Sequence, residues 1–340
     1  MLLSRFPRLH FAHLPTPLEP MDRLRQALGG GPQLWVKRDD CTGLGMGGNK
    51  TRKLEFLCGE ARALGTDTLI TQGAVQSNHC RQTAAAAALL GMECHLLFEN
   101  RVQHPDQNYL NSGNVFLDHL FGAQIEEHPA GSNMDAAMQQ TAERLTSEGK
   151  RPYVIPGGGS NPVGALGYVN CALECISQAN QRNLVFDQVI HATGSAGTQA
   201  GLVVGFNAMN ANLPVLGIGV NAAQEVQEQR VFNLASATAD FLGAENIVQA
   251  SDIVANCDYI GEGYGIPTGG MQEAVLLLAR TEGLLFDPVY SGKALAGMID
   301  LIRRGHYSDD DNLLFVHTGG SAGLFGYLSS LTVDSSQDAS

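Results

Sequence analysis

Asp187-Gln188-Val189-Ile190-His191-Ala192-Thr193-Gly194-Ser195-Ala196-Gly197-Thr198 is the stretch that sets the fold class. Residues 187–192 read as a short buried strand, the glycines and hydroxyls after it as a tight turn, and a helix is predicted from about Thr198 to Met209. The same rhythm repeats on both sides. Strands are predicted at 33–37, 67–71, 92–98, 124–127 and 152–155 before it, and at 215–220 and 312–317 after it. Helices are predicted at 50–64, 79–90, 111–120, 134–148, 164–179, 222–234, 235–242, 271–281 and 292–304. Strands of about five residues alternating with longer helices point to an α/β protein with open, mostly parallel twisted sheets flanked by helices. No linker stands out, so a second domain is expected as an insertion rather than an appendage. The last ten residues read as a frayed tail.

Composition narrows the function classes. The 340 residues are 44% hydrophobic, enough for two lobes with a cleft between them. Twenty-one basic against 34 acidic residues give a net charge of -13, the wrong sign for gripping a phosphate backbone, and aromatics at 6% offer few stacking platforms. No nucleic-acid partner is expected, although a local pocket for one small anion is compatible with that balance. No stretch approaches the 18 or so apolar residues of a membrane span. Seven cysteines with no C-x-x-C suit buried thiols in a reducing, cytoplasmic protein, and no metal site is expected.

Four constellations could carry chemistry. Gly47-Gly48-Asn49-Lys50 places a lysine where a glycine loop enters a helix. A helix N-terminus lowers the pKa of an ammonium, and an uncharged lysine can form a Schiff base with a carbonyl; Lys50 equally suits a solvated basic cluster with Arg52 and Lys53. Gln76-Ser77-Asn78-His79 follows a strand, where a helix start can hold a carboxylate or Ser77 and Asn78 can simply cap. Gly194-Ser195-Ala196-Gly197-Thr198 offers backbone N–H groups and hydroxyls to an anion, but lacks the G-x-G-x-x-G of dinucleotide sites, which argues against an NAD-dependent oxidoreductase. The last set is Tyr264, Tyr290, Ser291 and Lys293, with Thr318 beyond the final strand. Their common position at strand exits is what links the four sets.

Together, Lys37-Arg38-Asp39-Asp40, Gly47-Gly48-Asn49-Lys50, Gln76-Ser77-Asn78, Gly194-Ser195-Ala196-Gly197-Thr198 and Asp287-Pro288-Val289-Tyr290 resemble the aminocyclopropane-carboxylate deaminase and D-cysteine desulfhydrase family, which belongs to fold type II of the pyridoxal-phosphate enzymes. The resemblance runs from about residue 5 to 328. It implies pyridoxal 5'-phosphate as cofactor, attached to Lys50, which would also move the Cα proton. Asn78 would meet the 3′-oxygen of the ring, Gln76, Ser77 and Asn78 the substrate, and 194–198 the phosphate. Tyr264 and Tyr290 would lie over the substrate side chain. It further implies a homodimer, a large domain of 1–53 and 164–330, and a small inserted domain of 54–163.

One position departs from the deaminase. That enzyme has Glu after the second tyrosine, beside the pyridine nitrogen; here stands Ser291, with Thr318 as a possible co-partner of that nitrogen. A hydroxyl weakens the electron sink, which suits β-elimination better than ring opening. The expected reaction is cleavage of a C–S bond in a small amino acid, with L-cysteate to pyruvate, sulfite and ammonia read first. D-cysteine, giving sulfide, is the alternative, and aminocyclopropane carboxylate comes after both. A non-catalytic binding module using the same cleft is the rival class, and Lys50 within a complete set of polar loops weighs against it.

Overall fold

The computed structural model describes residues 2–103 and 105–331; the expected tail lies almost wholly outside the described residues. The first half runs β1 (Leu18–Pro20), α1 (Asp22–Ala27), β2 (Gln33–Arg38), α2 (Asn49–Ala63), β3 (Thr68–Ala74), α3 (Asn78–Leu90), β4 (Glu93–Asn100), α4 (Gln107–Asn111), α5 (Gly113–Leu120), β5 (Gln124–Pro129), α6 (Met134–Ser147) and β6 (Pro152–Val154). The second runs α7 (Pro162–Gln181), β7 (Gln188–Thr193), α8 (Gly197–Ala208), β8 (Val215–Gly219), α9 (Gln224–Leu242), β9 (Val254–Asn256), α10 (Gly269–Glu282), α11 (Ser291–Arg303) and β10 (Asn312–His317).

Two sheets result. One has the order β1-β2-β10-β7-β8-β9 and the other β5-β4-β3-β6. Every pairing is parallel except β1 against β2. β10 sits between β2 and β7 and buries Leu313, Leu314, Phe315 and Val316 completely, as a strand covered on both faces requires. Parallel strands deliver their C-terminal ends to one edge, and in both sheets those ends border one shared cavity.

Two predicted helices differ in extent. The expected 111–120 helix divides at Ser112, whose backbone is extended, and Gly113 takes a positive φ of 60° where the chain turns into α5. The expected break between 234 and 235 is absent, because Val231, Ala235, Ala239 and Leu242 continue one buried stripe along α9. β1, α1 and β9 carry too few residues for a periodicity to register.

α2 is buried on nearly every side, and a polar network fixes it. Arg52 donates to both carboxylate oxygens of Asp39 at 2.8 Å and to Glu174 at 3.0 Å. Lys37 donates to the carbonyl of Thr16 at 2.6 Å, and Tyr168 donates its hydroxyl to Asp39 at 2.6 Å. Burial alone would raise the Asp39 carboxyl, but Arg52 holds it below the usual carboxylate range. Removing one member would strand a buried charge, a loss of about 3–5 kcal/mol.

Candidate active site

The cavity at the shared edge encloses about 650 Å³. Lys50, Ser77, Asn78, Gly194, Ser195, Ala196, Thr198, Tyr264, Tyr290 and Thr318 all line it. Gln76, Gly197 and Ser291 do not. Gln76 is turned to the protein, donating to the carbonyls of Tyr109 at 2.6 Å and Ser112 at 2.8 Å and accepting from the N–H of Asn114 at 3.0 Å. Ser291 is fully buried, donates to Asp287 at 2.7 Å and accepts from the Asp287 N–H at 2.8 Å.

Lys50 occupies the second position of α2, behind Gly47 and Gly48, both at positive φ. A Cβ at Gly47 would lie 1.9 Å from the carbonyl oxygen of Asp40, so only glycine permits this approach. Burial pushes the Lys50 ammonium down to about 8. One turn on, Lys53 faces the same way and is fully buried. It is no surface cation: its Nζ donates to the carbonyl of Gly158 at 3.1 Å and has Ser160 Oγ at 3.5 Å. Burial, with Lys50 nearby, holds its pKa well below that of an ordinary lysine.

The 194–198 turn opens α8. Ala196 adopts φ 72°, a left-handed conformation that a non-glycine residue takes at some cost, so the N–H groups at the head of α8 are set by strain as well as by sequence. Gly197 has no room for a side chain, since a Cβ there would lie 2.7 Å from Ser160 Oγ and 2.9 Å from Lys53 Nζ. Asn49 donates its side-chain amide to Thr198 Oγ1 at 3.0 Å, and its backbone N–H to the carbonyl of Thr318 at 3.0 Å. The glycine turn thus sits against α2 and against the exit of β10.

Opposite stands the start of α3. Ser77 is its N-cap, accepting from the Cys80 N–H at 3.2 Å. Asn78 accepts from Asn114 through its side-chain oxygen at 2.9 Å, which leaves its amide nitrogen as a donor at the cavity. His79 also lines the cavity. Its Nε2 meets Thr71 Oγ1 at 2.8 Å, and because Thr71 donates to the carbonyl of Ile155, Nε2 carries the proton. Nδ1 is a buried acceptor without a partner among the described residues, and burial holds the ring neutral. Tyr264 and Tyr290 share a hydrogen bond of 2.7 Å between their hydroxyls. Burial raises the pKa of both phenols.

The residues present fit a phosphorylated aromatic aldehyde. A cradle that a Cβ would fill, helix N–H groups and the Lys53 amine suit a phosphate. A lysine with its pKa brought down to about 8 suits an aldehyde. Asn78 and Thr318 offer polar contacts at the wall between. The sequence reading missed Lys53, Ser160 and Arg101. The three-residue spacing from Lys50 could have revealed Lys53.

Comparison with known proteins agrees with this chemistry. Residues 9–319 match the family model described as "Pyridoxal-phosphate dependent enzyme". D-cysteine desulfhydrase of Salmonella typhimurium (strain LT2) is 48% identical over 325 residues, covering 96% of this chain and 97% of that protein. The same-named protein of Salmonella typhi is 47% identical over equal shares. Among solved structures, an aminocyclopropane-carboxylate deaminase homologue superposes with a TM-score of 0.87 at 36% identity, covering 97% of this chain and 96% of that one. O-ureido-L-serine synthase shares the fold, with a TM-score of 0.69 at 18% identity over 95% of both chains. A lysine of lowered pKa at a glycine loop, a phosphate-sized cradle at a helix start and this agreement along the whole chain lead to one conclusion: the chain belongs to the pyridoxal-phosphate dependent enzymes, within the aminocyclopropane-carboxylate deaminase and D-cysteine desulfhydrase branch of fold type II.

Proposed function

We propose that this carbon–sulfur lyase acts on D-cysteine, converting it with water to pyruvate, hydrogen sulfide and ammonia. The observation that carries the substrate is the 48% identity to D-cysteine desulfhydrase over 96% of the chain. L-cysteate, the first expectation from the sequence, takes second place because the relatives named above are desulfhydrases.

When bound, pyridoxal phosphate supplies an electron-withdrawing ring conjugated to Cα. The chain's own groups do the rest. Lys50 takes the Cα proton, and a pKa near 8 lets it both hold and release that proton around neutral pH. The N–H groups at the start of α3, with Ser77, orient the substrate carboxylate. Lys53 and the head of α8 would hold the phosphate, while Asn78 and Thr318 would offer polar contacts to the ring. His79, kept neutral, puts no competing charge beside Lys50. The paired hydroxyls of Tyr264 and Tyr290 pass a proton to the departing sulfur, a role their raised pKa values permit because both stay protonated.

The same reading divides the chain into a cofactor-binding unit of 1–53 and 164–330 around an inserted unit of 54–163. It also makes the protein a homodimer of the cytoplasm, with all seven cysteines kept as free thiols. Among the described residues no helix is long and apolar enough to cross a membrane.

The test is a side-by-side assay of D-cysteine, L-cysteine, D-cysteate and L-cysteate, scoring pyruvate, sulfide and sulfite. Fastest sulfide release from D-cysteine is the expected result. Turnover confined to cysteate would replace the substrate and keep the reaction class. No pyruvate from any of the four would end the lyase assignment.

A further inference from the structure

Two cations lining the cavity, Arg101 and Arg230, have no task in the reaction described above; Arg230 is exposed on α9, whereas Arg101 stands beside the tyrosine pair. Four charged side chains line the wall: Lys50, Arg101, Arg230 and Asp135. Three of the four are basic, in a chain whose net charge is -13. Lys50 serves the aldehyde and the Cα proton. The phosphate has Lys53 and the head of α8, and the carboxylate has the head of α3.

Arg101 follows β4 directly and reaches Tyr264, with its guanidinium carbon 5.5 Å from the ring centroid. The fork is held from behind. Nε donates to Glu99 at 2.5 Å and Nη2 to Gln72 Oε1 at 3.3 Å. An arginine has five N–H donors, and these two contacts use two of them. Nη1 has no acceptor among the described residues. The side chain is 29% exposed and its residue lines the cavity, so the unused donors belong to that wall. Tyr264 is in turn hydrogen-bonded to Tyr290, the pair assigned to the departing group.

We propose that Arg101 determines substrate specificity, selecting amino acids whose β-carbon carries an anionic sulfur group, thiolate or sulfonate. The inference rests on the lyase reading and extends it to the negative charge on the substrate's sulfur group, which that reading met only with the neutral hydroxyls of Tyr264 and Tyr290. A fixed guanidinium with a free edge matches an oxyanion bidentately and a thiolate through one or two N–H groups. It also stands where negative charge grows during the step. As Lys50 removes the Cα proton, the Cα–Cβ double bond forms and the Cβ–S bond breaks with the bonding pair leaving on sulfur; a sulfonate departs as sulfite, and a thiolate departs as hydrosulfide by taking one proton from the Tyr264–Tyr290 pair. Donors already oriented toward that charge stabilise it without reorganising. Cation–π contact with Tyr264 and the Glu99 pair keep the fork in place when no substrate is present.

The test uses holoenzyme carrying Arg101→Met and Arg101→Lys. kcat/KM is measured for D-cysteine, L-cysteate and β-chloro-D-alanine, whose β-substituent is uncharged before the bond breaks. Methanesulfonate binding is followed by calorimetry, which reads the site without turnover. The expected result for Arg101→Met is a loss of tenfold or more on whichever sulfur-anion substrate the wild type uses, with less than threefold change on β-chloro-D-alanine, whose chlorine substituent carries no charge in the bound substrate and departs readily without added stabilisation. Methanesulfonate affinity falls by a similar factor, and Arg101→Lys, which keeps charge but not the fork, lies between. Equal losses on charged and uncharged substrates, or unchanged methanesulfonate affinity, overturn the proposal. If Arg101→Met fails to fold, the lysine variant gives the same discrimination. If the wild type releases pyruvate from none of the three, the lyase reading falls, and methanesulfonate titration alone decides the role of Arg101.

Discussion

Replacing Lys53 by methionine is expected to separate cofactor affinity from fold stability. The Lys53 amine is fully buried and has only neutral acceptors, the carbonyl of Gly158 at 3.1 Å and Ser160 Oγ at 3.5 Å. Among the described residues no carboxylate pairs with it, and burial then Lys50 hold its pKa well below the ordinary 10.5. In the protein without cofactor, the folded state therefore binds fewer protons than the unfolded state between that lowered value and 10.5. Stability rises with pH across that window. Methionine removes both the slope and the buried amine, so the cofactor-free variant melts at the same temperature or higher at neutral pH. A phosphate beside Gly197 reverses the balance, because the amine then gains an anion. A hydrogen bond to a charged group stabilises by about 1.5–3 kcal/mol, so the variant should bind pyridoxal phosphate about 10- to 150-fold more weakly. Cofactor-free protein is titrated with pyridoxal phosphate and with pyridoxal, and melted from pH 6 to 10. Pyridoxal, lacking the phosphate, should bind both proteins alike. Pyridoxal phosphate affinity within threefold of wild type would refute the placement of the phosphate.

Three further outcomes follow from the geometry. With its pKa near 8, about a tenth of Lys50 is uncharged at pH 7, against roughly 0.03% of an ordinary lysine; attachment of pyridoxal phosphate, trapped with borohydride and mapped by peptide, should speed up with pH and level off above about 8, and a label on Lys53 or Lys293 would contradict it. Gly197→Val places a branched side chain against Ser160 and Lys53, 2.7 and 2.9 Å from the Cβ position, and should weaken cofactor binding tenfold or more while the cofactor-free melting temperature moves by only a few degrees. Ser291→Glu sets a second carboxylate against buried Asp287, whose carboxyl burial already raises, and should destabilise the fold by roughly 3 kcal/mol or more; thermal melting decides, and a variant as stable as wild type would mean that this spot is not closed.

Much of this was legible because a parallel sheet makes the ends of strands conspicuous. Lys50, Asn78, Thr198 and Thr318 each follow a glycine turn or a short apolar run, and they meet at one cavity. Lys53 was obscured by Arg52 beside it, since three basic residues in four read as a solvated patch. In space Arg52 points to Asp39 and Glu174, while Lys53 points to the turn before α7. Arg101 carries no local signal at all, as it follows β4 with no glycine to mark a ligand loop, and its contact with Tyr264 spans 163 positions. Gln76 and Ser291 illustrate the reverse. Both sit inside the right motifs, yet their side chains turn to Tyr109, Ser112 and Asp287, a choice made by packing that a linear pattern does not encode.

The cavity draws its walls from separate parts of the chain. Residues 192–196, with Thr198 and Thr318, come from the six-stranded sheet and its exits, whereas residues 72–74 and 77–79, with Arg101, come from the four-stranded sheet and its exits. In the proposed function, phosphate retention is assigned to the first group and to Lys53 from the helix between. The same proposal assigns the substrate's carboxylate to the second group, and its sulfur to Arg101 together with Tyr264 and Tyr290. On that assignment, a mutation after β4 should alter which molecule is cleaved while the prosthetic group stays in place. Selection, natural or in the laboratory, can explore new substrates by small steps from a protein that remains loaded throughout. The four-stranded sheet is where such libraries belong.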